Sequence, residues 1–125
     1  MRLLLDTHIF LWVAAGSPLL KPATRRIIDS ADEVFVSAAS LWEIAIKARL
    51  GKIKADPRQL AAAIEESGLV ELPVSASHAA AVANLPMHHN DPFDHLLIAQ
   101  ALSEPLMLLT SDSVLALYSD VVMVV

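Results

Sequence analysis

Four carboxylates occupy positions in this sequence that point to chemistry. Asp6 closes the apolar run Arg2–Leu5, and Glu43 lies between Trp42 and Ile44 in Ser40-Leu41-Trp42-Glu43-Ile44-Ala45. Asp94 lies in Asp91-Pro92-Phe93-Asp94-His95, and Asp112 ends Thr110-Ser111-Asp112. Each has a local structural use. Asp6 and Asp112 can cap the helices that follow them, and Ser40 with Glu43 matches a capping box. Asp94 falls in the first turn of a helix opened by Asp91, where the macrodipole favours an anion. Helical phase nevertheless sets Glu43 beside Ala39, Ile46 and Lys47, close to the buried face, and a buried carboxylate requires a partner or a metal. Four acids brought together repel one another, and no Lys or Arg follows Arg58 to neutralise Asp94 or Asp112. A divalent cation resolves that conflict. Oxygen-only ligands select Mg²⁺ or Mn²⁺, and Mg²⁺ retains waters through which a phosphodiester can be hydrolysed. Whether the four acids converge is decided by the fold.

The elements that must position them can be read from the pattern. Short, continuous apolar runs at Arg2–Asp6, Val34–Ser37, Leu69–Leu72, Leu106–Leu109 and Val121–Val125 suit buried strands. Helices are expected between them over Thr7–Ala15, Pro22–Ala31, Ala39–Leu50, Pro57–Glu66, Ser75–Asn84 and Asp91–Ser103, with a short one near Ser113–Leu117. Gly16, Gly51 and Gly68 each stand at a helix end, and Asp56-Pro57 and Asp91-Pro92 form cap and first-turn pairs. Strands that alternate with helices, and are apolar throughout, belong to a parallel sheet covered on both faces. Ligands of such sheets collect outside the carboxyl ends of the strands, where Asp6 and Asp112 fall.

Composition narrows the function classes. With 125 residues, 55% of them apolar, the chain can build the core of one domain, expected over residues 1–125. It has no cysteine, which excludes disulfides, thiolate metal sites and a thiol nucleophile, and suits a reducing cytoplasm. Asp6 and His8 interrupt the apolar N-terminus, so it lacks the clean apolar stretch of a signal peptide, and no segment reaches the length of a membrane span. The net charge of −5 conceals an asymmetry. All nine Lys and Arg lie in residues 1–58 with six acids, and residues 59–125 carry eight acids and no Lys or Arg. A basic surface beside an acidic pocket is compatible with that division, although a solvated helix end explains the run Lys47, Arg49, Lys52, Lys54, Arg58 equally well.

Three other chemistries fit less well. Five histidines invite zinc, but no His-Glu-x-x-His is present, and His88 and His89 are adjacent and cannot share a helix face. The three glycines form no phosphate-cradling loop, and there is no Gly-x-Ser-x-Gly elbow. An aspartate-dependent phosphatase or phosphoacceptor domain also places Asp at the end of an early strand. It requires a late lysine, which this chain lacks.

The four motifs in order, Leu3-Leu4-Leu5-Asp6-Thr7-His8, Ser37 to Lys47, Asp91 to Gln100 and Thr110-Ser111-Asp112, resemble those of the PIN-domain nucleases, and among them the VapC-type toxins of bacterial toxin–antitoxin pairs. The resemblance covers nearly the whole chain. It implies a three-layer α/β/α sandwich around a mostly parallel sheet of about five short strands. It further implies a cytoplasmic endoribonuclease that uses Mg²⁺, with Mn²⁺ as a substitute, to cut single-stranded or loop RNA, leaving 5′-phosphate and 3′-hydroxyl ends. By position, Asp6, Glu43 and Asp94 would be the principal metal-holding acids and Asp112 the fourth. Thr110 would support them from behind, and Asp91 would be auxiliary or a cap. Lys47 and His95 would be RNA contacts, His95 standing where the family often has Arg. The resemblance also implies a homodimer and a VapB-type antitoxin lying over the site; Phe10 and Trp12 could serve that partner, though core packing suits both. A catalytically inactive PIN-like module that binds protein or RNA remains the alternative.

Overall fold

The computed structural model describes all 125 residues, Met1–Val125. Five strands, β1 (Arg2–Leu5), β2 (Glu33–Ser37), β3 (Val70–Leu72), β4 (Met107–Thr110) and β5 (Val122–Val124), form one sheet in the order β3-β2-β1-β4-β5. Every pairing is parallel, so the sheet is wholly rather than mostly parallel. Six helices connect and cover it: α1 (Thr7–Ala15), α2 (Pro22–Ser30), α3 (Ala38–Arg49), α4 (Pro57–Glu66), α5 (Ala76–Ala81) and α6 (Pro92–Ser103).

The sheet has two cores because side chains of a strand alternate between its faces. Leu3 and Leu5 pack with Ile9, Phe10, Val34, Val36, Ile44, Ile64 and Leu109 on one side. Leu4 packs with Phe35, Leu97, Ile98, Leu108 and Leu115 on the other. The register agrees, with Leu4 opposite Leu108 and Leu5 opposite Leu109. Leu3, Leu4 and Leu5 are wholly buried, each contributing about 2 kcal/mol of apolar transfer free energy, so a slip of β1 by one residue would disrupt both cores. Phe10 is core, and Trp12 is half-buried against the same cluster.

Two expected helices are altered. The segment expected over Ser75–Asn84 is α-helical only to Ala81 and tightens into a 3-10 turn at Val82–Asn84. Pro86 follows Leu85, which is extended at ψ 144°, as residues preceding proline prefer. Ser113–Leu117 is likewise a 3-10 turn, capped by Asp112. No helix is long and apolar enough to cross a membrane.

The chain reverses direction across the sheet at β1. It moves outward to β2 and β3, then returns to β4 on the other side. The carboxyl ends of β1 and β4 thus flank a topological switch point, where such sheets open a crevice.

Candidate active site

A cleft of about 120 Å³ opens at these strand ends, lined by Asp6, Thr7, His8, Glu43, Lys47, Asp91, Asp94, Ser111 and Asp112, with no apolar residue among them. The four acids singled out in the sequence are therefore gathered in one place, with Asp91 as a fifth. Only Lys47 offers a permanent positive charge.

Asp6 sits where β1 passes into α1. Its Oδ1 accepts the Ile9 N–H at 2.8 Å and caps the helix, while Oδ2 accepts the hydroxyl proton of Thr110 at the end of β4. Burial pushes the Asp6 carboxyl above its ordinary range, the Thr110 and Ile9 hydrogen bonds pull against that rise, and the Glu43 charge adds to it.

Glu43 is 4% exposed and fully engaged. Oε1 accepts from the Thr7 hydroxyl at 2.7 Å, and Oε2 faces Lys47 Nζ at 2.6 Å. Because a carboxylate only accepts, the single Thr7 proton goes to Glu43, and Ser40 Oγ, 3.0 Å from Thr7 Oγ1, donates to Thr7 in turn. The capping-box use of Ser40 with Glu43 is corrected by this geometry: Ser37 caps α3 through the Ala39 N–H, and Ser40 supports Glu43 through Thr7.

Asp94 lies in the first turn of α6, half-buried, with Oδ2 2.9 Å from His89 Nε2. Burial raises its pKa, His89 lowers it, and the charges of Asp91 and Glu43 raise it again. Glu43 thus acts electrostatically on both Asp6 and Asp94, which places the three in one field. Asp91 caps α6 by accepting from the Phe93 and Asp94 N–H groups at 2.9 and 3.2 Å. Asp112 is exposed and caps the 3-10 turn through Val114 N–H at 3.0 Å, while its own N–H donates to Thr110 Oγ1. Capping and a place in the cleft are therefore compatible uses of one side chain. In both aspartates a single oxygen, Oδ1, holds the turn.

Two expectations change. His95 is 7% exposed and absent from the cleft lining; its Nε2 contacts the His89 carbonyl and the Tyr118 hydroxyl. The expectation of an RNA contact at His95 is corrected to an internal support, because the position falls on the buried face of α6. Lys47 lines the cleft but is committed to Glu43, so it neutralises an acid before it meets any substrate. Thr7, His8, Ser40, His89 and Tyr118 belong to the site or its support and were not foreseen as such. Thr7 follows the first acid directly, which was the available signal. The His89 and Tyr118 contacts join residues 29 apart and leave no local trace.

The donor set fits a hydrated divalent cation. No three acids or histidines form a ready-made ligand cluster, and Asp6, Glu43 and Asp94 are each hydrogen-bonded to partners of their own. Mg²⁺ does not need such a cage, being bound through one or two carboxylates while retaining water. A small, wholly polar cleft with five carboxylates and one lysine supplies oxygen donors and negative charge for that mode.

The PIN domain family model matches residues 3–120. The chain is 33% identical over 115 residues to Ribonuclease VapC22 of Mycobacterium tuberculosis, covering 87% of this chain and 85% of that protein. Among solved structures, its fold is similar to that of a toxin–antitoxin complex from Klebsiella pneumoniae (TM-score 0.67, 15% identity, 96% of this chain and 94% of that one). It is similar also to VapBC2 from Rickettsia felis bound to a DNA fragment from its promoter (TM-score 0.64, 19% identity, 90% and 89%). With the acids in motif order around the switch point of a five-stranded parallel sheet, this chain belongs to the PIN domain family, among its VapC-type members.

Proposed function

We propose that this chain is an Mg²⁺-dependent endoribonuclease, with Mn²⁺ as a substitute, that hydrolyses phosphodiester bonds of single-stranded or loop RNA as the toxin of a toxin–antitoxin pair. One observation carries the proposal: Asp6, Glu43, Asp94 and Asp112 line a single cleft that contains no apolar side chain. The relative named as a ribonuclease and the VapBC fold similarity support it. On the same likeness a VapB-type antitoxin is the proposed partner, the homodimer the proposed assembly and the cytoplasm the proposed location.

Asp6, Glu43 and Asp94 would hold the cation, with Asp112 as the fourth acid. When bound, the ion supplies a Lewis acid for the phosphodiester and lowers the pKa of water. Thr110 keeps Asp6 Oδ2 in place, Thr7 fixes Glu43 Oε1, and Lys47 offsets part of the negative charge. Asp91 contributes mainly by capping α6, so that Asp94 is presented from a rigid first turn.

Cleavage of RNA by purified protein tests this. Cutting is expected with Mg²⁺ or Mn²⁺ and not in EDTA, with Asp94→Asn slower by on the order of 100-fold, a few kcal/mol of lost transition-state stabilisation. Expression alone should arrest growth, and Asp6→Asn should relieve the arrest. Metal-independent cutting, an Asp94→Asn protein as active as wild type, or growth arrest that survives Asp6→Asn would sink the proposal.

A further inference from the structure

Asp94 differs from the other acids of the cleft in that its partner is an imidazole. His89 Nε2 stands 2.9 Å from Asp94 Oδ2, and the Tyr118 hydroxyl stands 2.7 Å from Nδ1 of the same ring. A neutral imidazole carries its proton on one nitrogen only, and the surroundings of Tyr118 decide which. The backbone N–H groups of His88 and His89 donate to the hydroxyl oxygen at 3.0 and 3.1 Å. His95 Nε2 is 3.1 Å from that oxygen and 2.8 Å from the His89 carbonyl oxygen. A carbonyl only accepts, so His95 Nε2 bears a hydrogen and has no lone pair to offer Tyr118. None of the hydroxyl's protein neighbours other than His89 Nδ1 can therefore accept its proton. Nδ1 is the acceptor the protein offers Tyr118, and because a carboxylate oxygen only accepts, a His89 hydrogen sits on Nε2, directed at Asp94.

We infer that His89 is a positioning residue for Asp94, its ring oriented by Tyr118 so that Nε2–H donates to one carboxylate oxygen. The inference rests on Asp94 being a metal-holding acid, as proposed above. It sets two of the acids apart. Lys47 faces Glu43 as an ammonium ion, whereas His89 orients one Asp94 oxygen through a single ring N–H. Partners of this kind behind a ligand's functional oxygen affect metal affinity and rate without touching the substrate. The 3-10 turn Ser113–Leu117 links the parts: Asp112 caps its start at the cleft, and Tyr118 follows its end, against His89. Tyr118 also secures the loop before α6 by accepting two of its backbone N–H groups, which would otherwise lack a protein partner there.

Side-chain ¹⁵N NMR of metal-free protein at pH 7 reads the tautomer directly. Wild type should show His89 protonated at Nε2 and bare at Nδ1, and Tyr118→Phe should give a mixture of tautomers. A wild-type ring protonated at Nδ1, or a Tyr118→Phe spectrum unchanged at His89, overturns the inference. Mn²⁺ titration followed by electron paramagnetic resonance supplies the functional arm. His89→Ala should weaken Mn²⁺ binding by roughly tenfold, and His89→Gln, which places an amide N–H near the Nε2 position, should recover most of it. Equal losses in the two variants, or none in either, refute the donor role. Both readouts are independent of cleavage. A protein that binds Mn²⁺ as described but cuts no RNA would refute the proposed function and uphold the role of His89.

Discussion

At the scale of single residues, the site shows how a folded chain tolerates crowded negative charge. Asp6 is 5% exposed, and burial raises its pKa although Thr110 and the Ile9 N–H stabilise its charge. The sign of the consequence follows from proton linkage. A carboxyl with a raised folded-state pKa binds more protons folded than unfolded, so stability falls as pH rises from the unfolded value through the folded one, and stays lower above it. Asparagine keeps the cap on Ile9 and removes the charge. Asp6→Asn should therefore match wild type near pH 3 and melt higher at pH 7 in EDTA, by roughly 4 °C for each kcal/mol released. Thermal scans across that pH range check it. An Asp6→Asn protein that melts lower than wild type at pH 7 would mean that the Thr110 hydrogen bond outweighs desolvation.

At the scale of elements, helix starts set the geometry. Asp6, Asp91 and Asp112 each cap the turn that follows, so the sequence features that stop strands and start helices also face acids into the cleft. For Asp112 the two uses separate experimentally. Asp112→Asn keeps the cap and loses the charge, so its stability should stay within a few tenths of a kcal/mol of wild type, whereas Asp112→Ala should lose about 1 kcal/mol. Cleavage should fall in both, by roughly tenfold or more if Asp112 works through water. Urea unfolding beside cleavage rates measures the two effects, and an Asp112→Asn enzyme of full activity would reduce Asp112 to a cap.

For the whole molecule, parallel connection is what assembles the site. Thr110 and Asp6 are 104 residues apart in sequence, and they meet because β1 and β4 are neighbours in the sheet. Of the basic run, Lys47 lines the cleft, while Arg49 at the end of α3, Lys52 and Lys54 in the connection after it and Arg58 at the start of α4 are exposed. An ion bound only by the folded state must stabilise it by RT ln(1 + [L]/Kd), about 1.4 kcal/mol at ten times Kd. Mn²⁺ should therefore raise the Tm of wild type and raise it much less in Asp94→Asn. Equal shifts in both proteins would place the ion elsewhere.

Much of this was legible in the sequence because it is local. Strand and helix order follow from apolar runs broken by glycine and proline, and Asp56, Asp91 and Asp112 cap the turns expected of them. The ordered acids and the family resemblance indicated one site. The 3-10 character of Val82–Asn84 and Ser113–Leu117 was not legible, because such turns differ from helix only in tightness. The tertiary structure alone decided what each acid touches. Lys47 answers Glu43, Thr7 replaces a capping box, and His95 turns inward to Tyr118 in place of facing solvent. The four carboxylates could be listed from the chain, but hydrogen bonds between distant residues depend on sheet order and helix rotation, which no short stretch of sequence encodes.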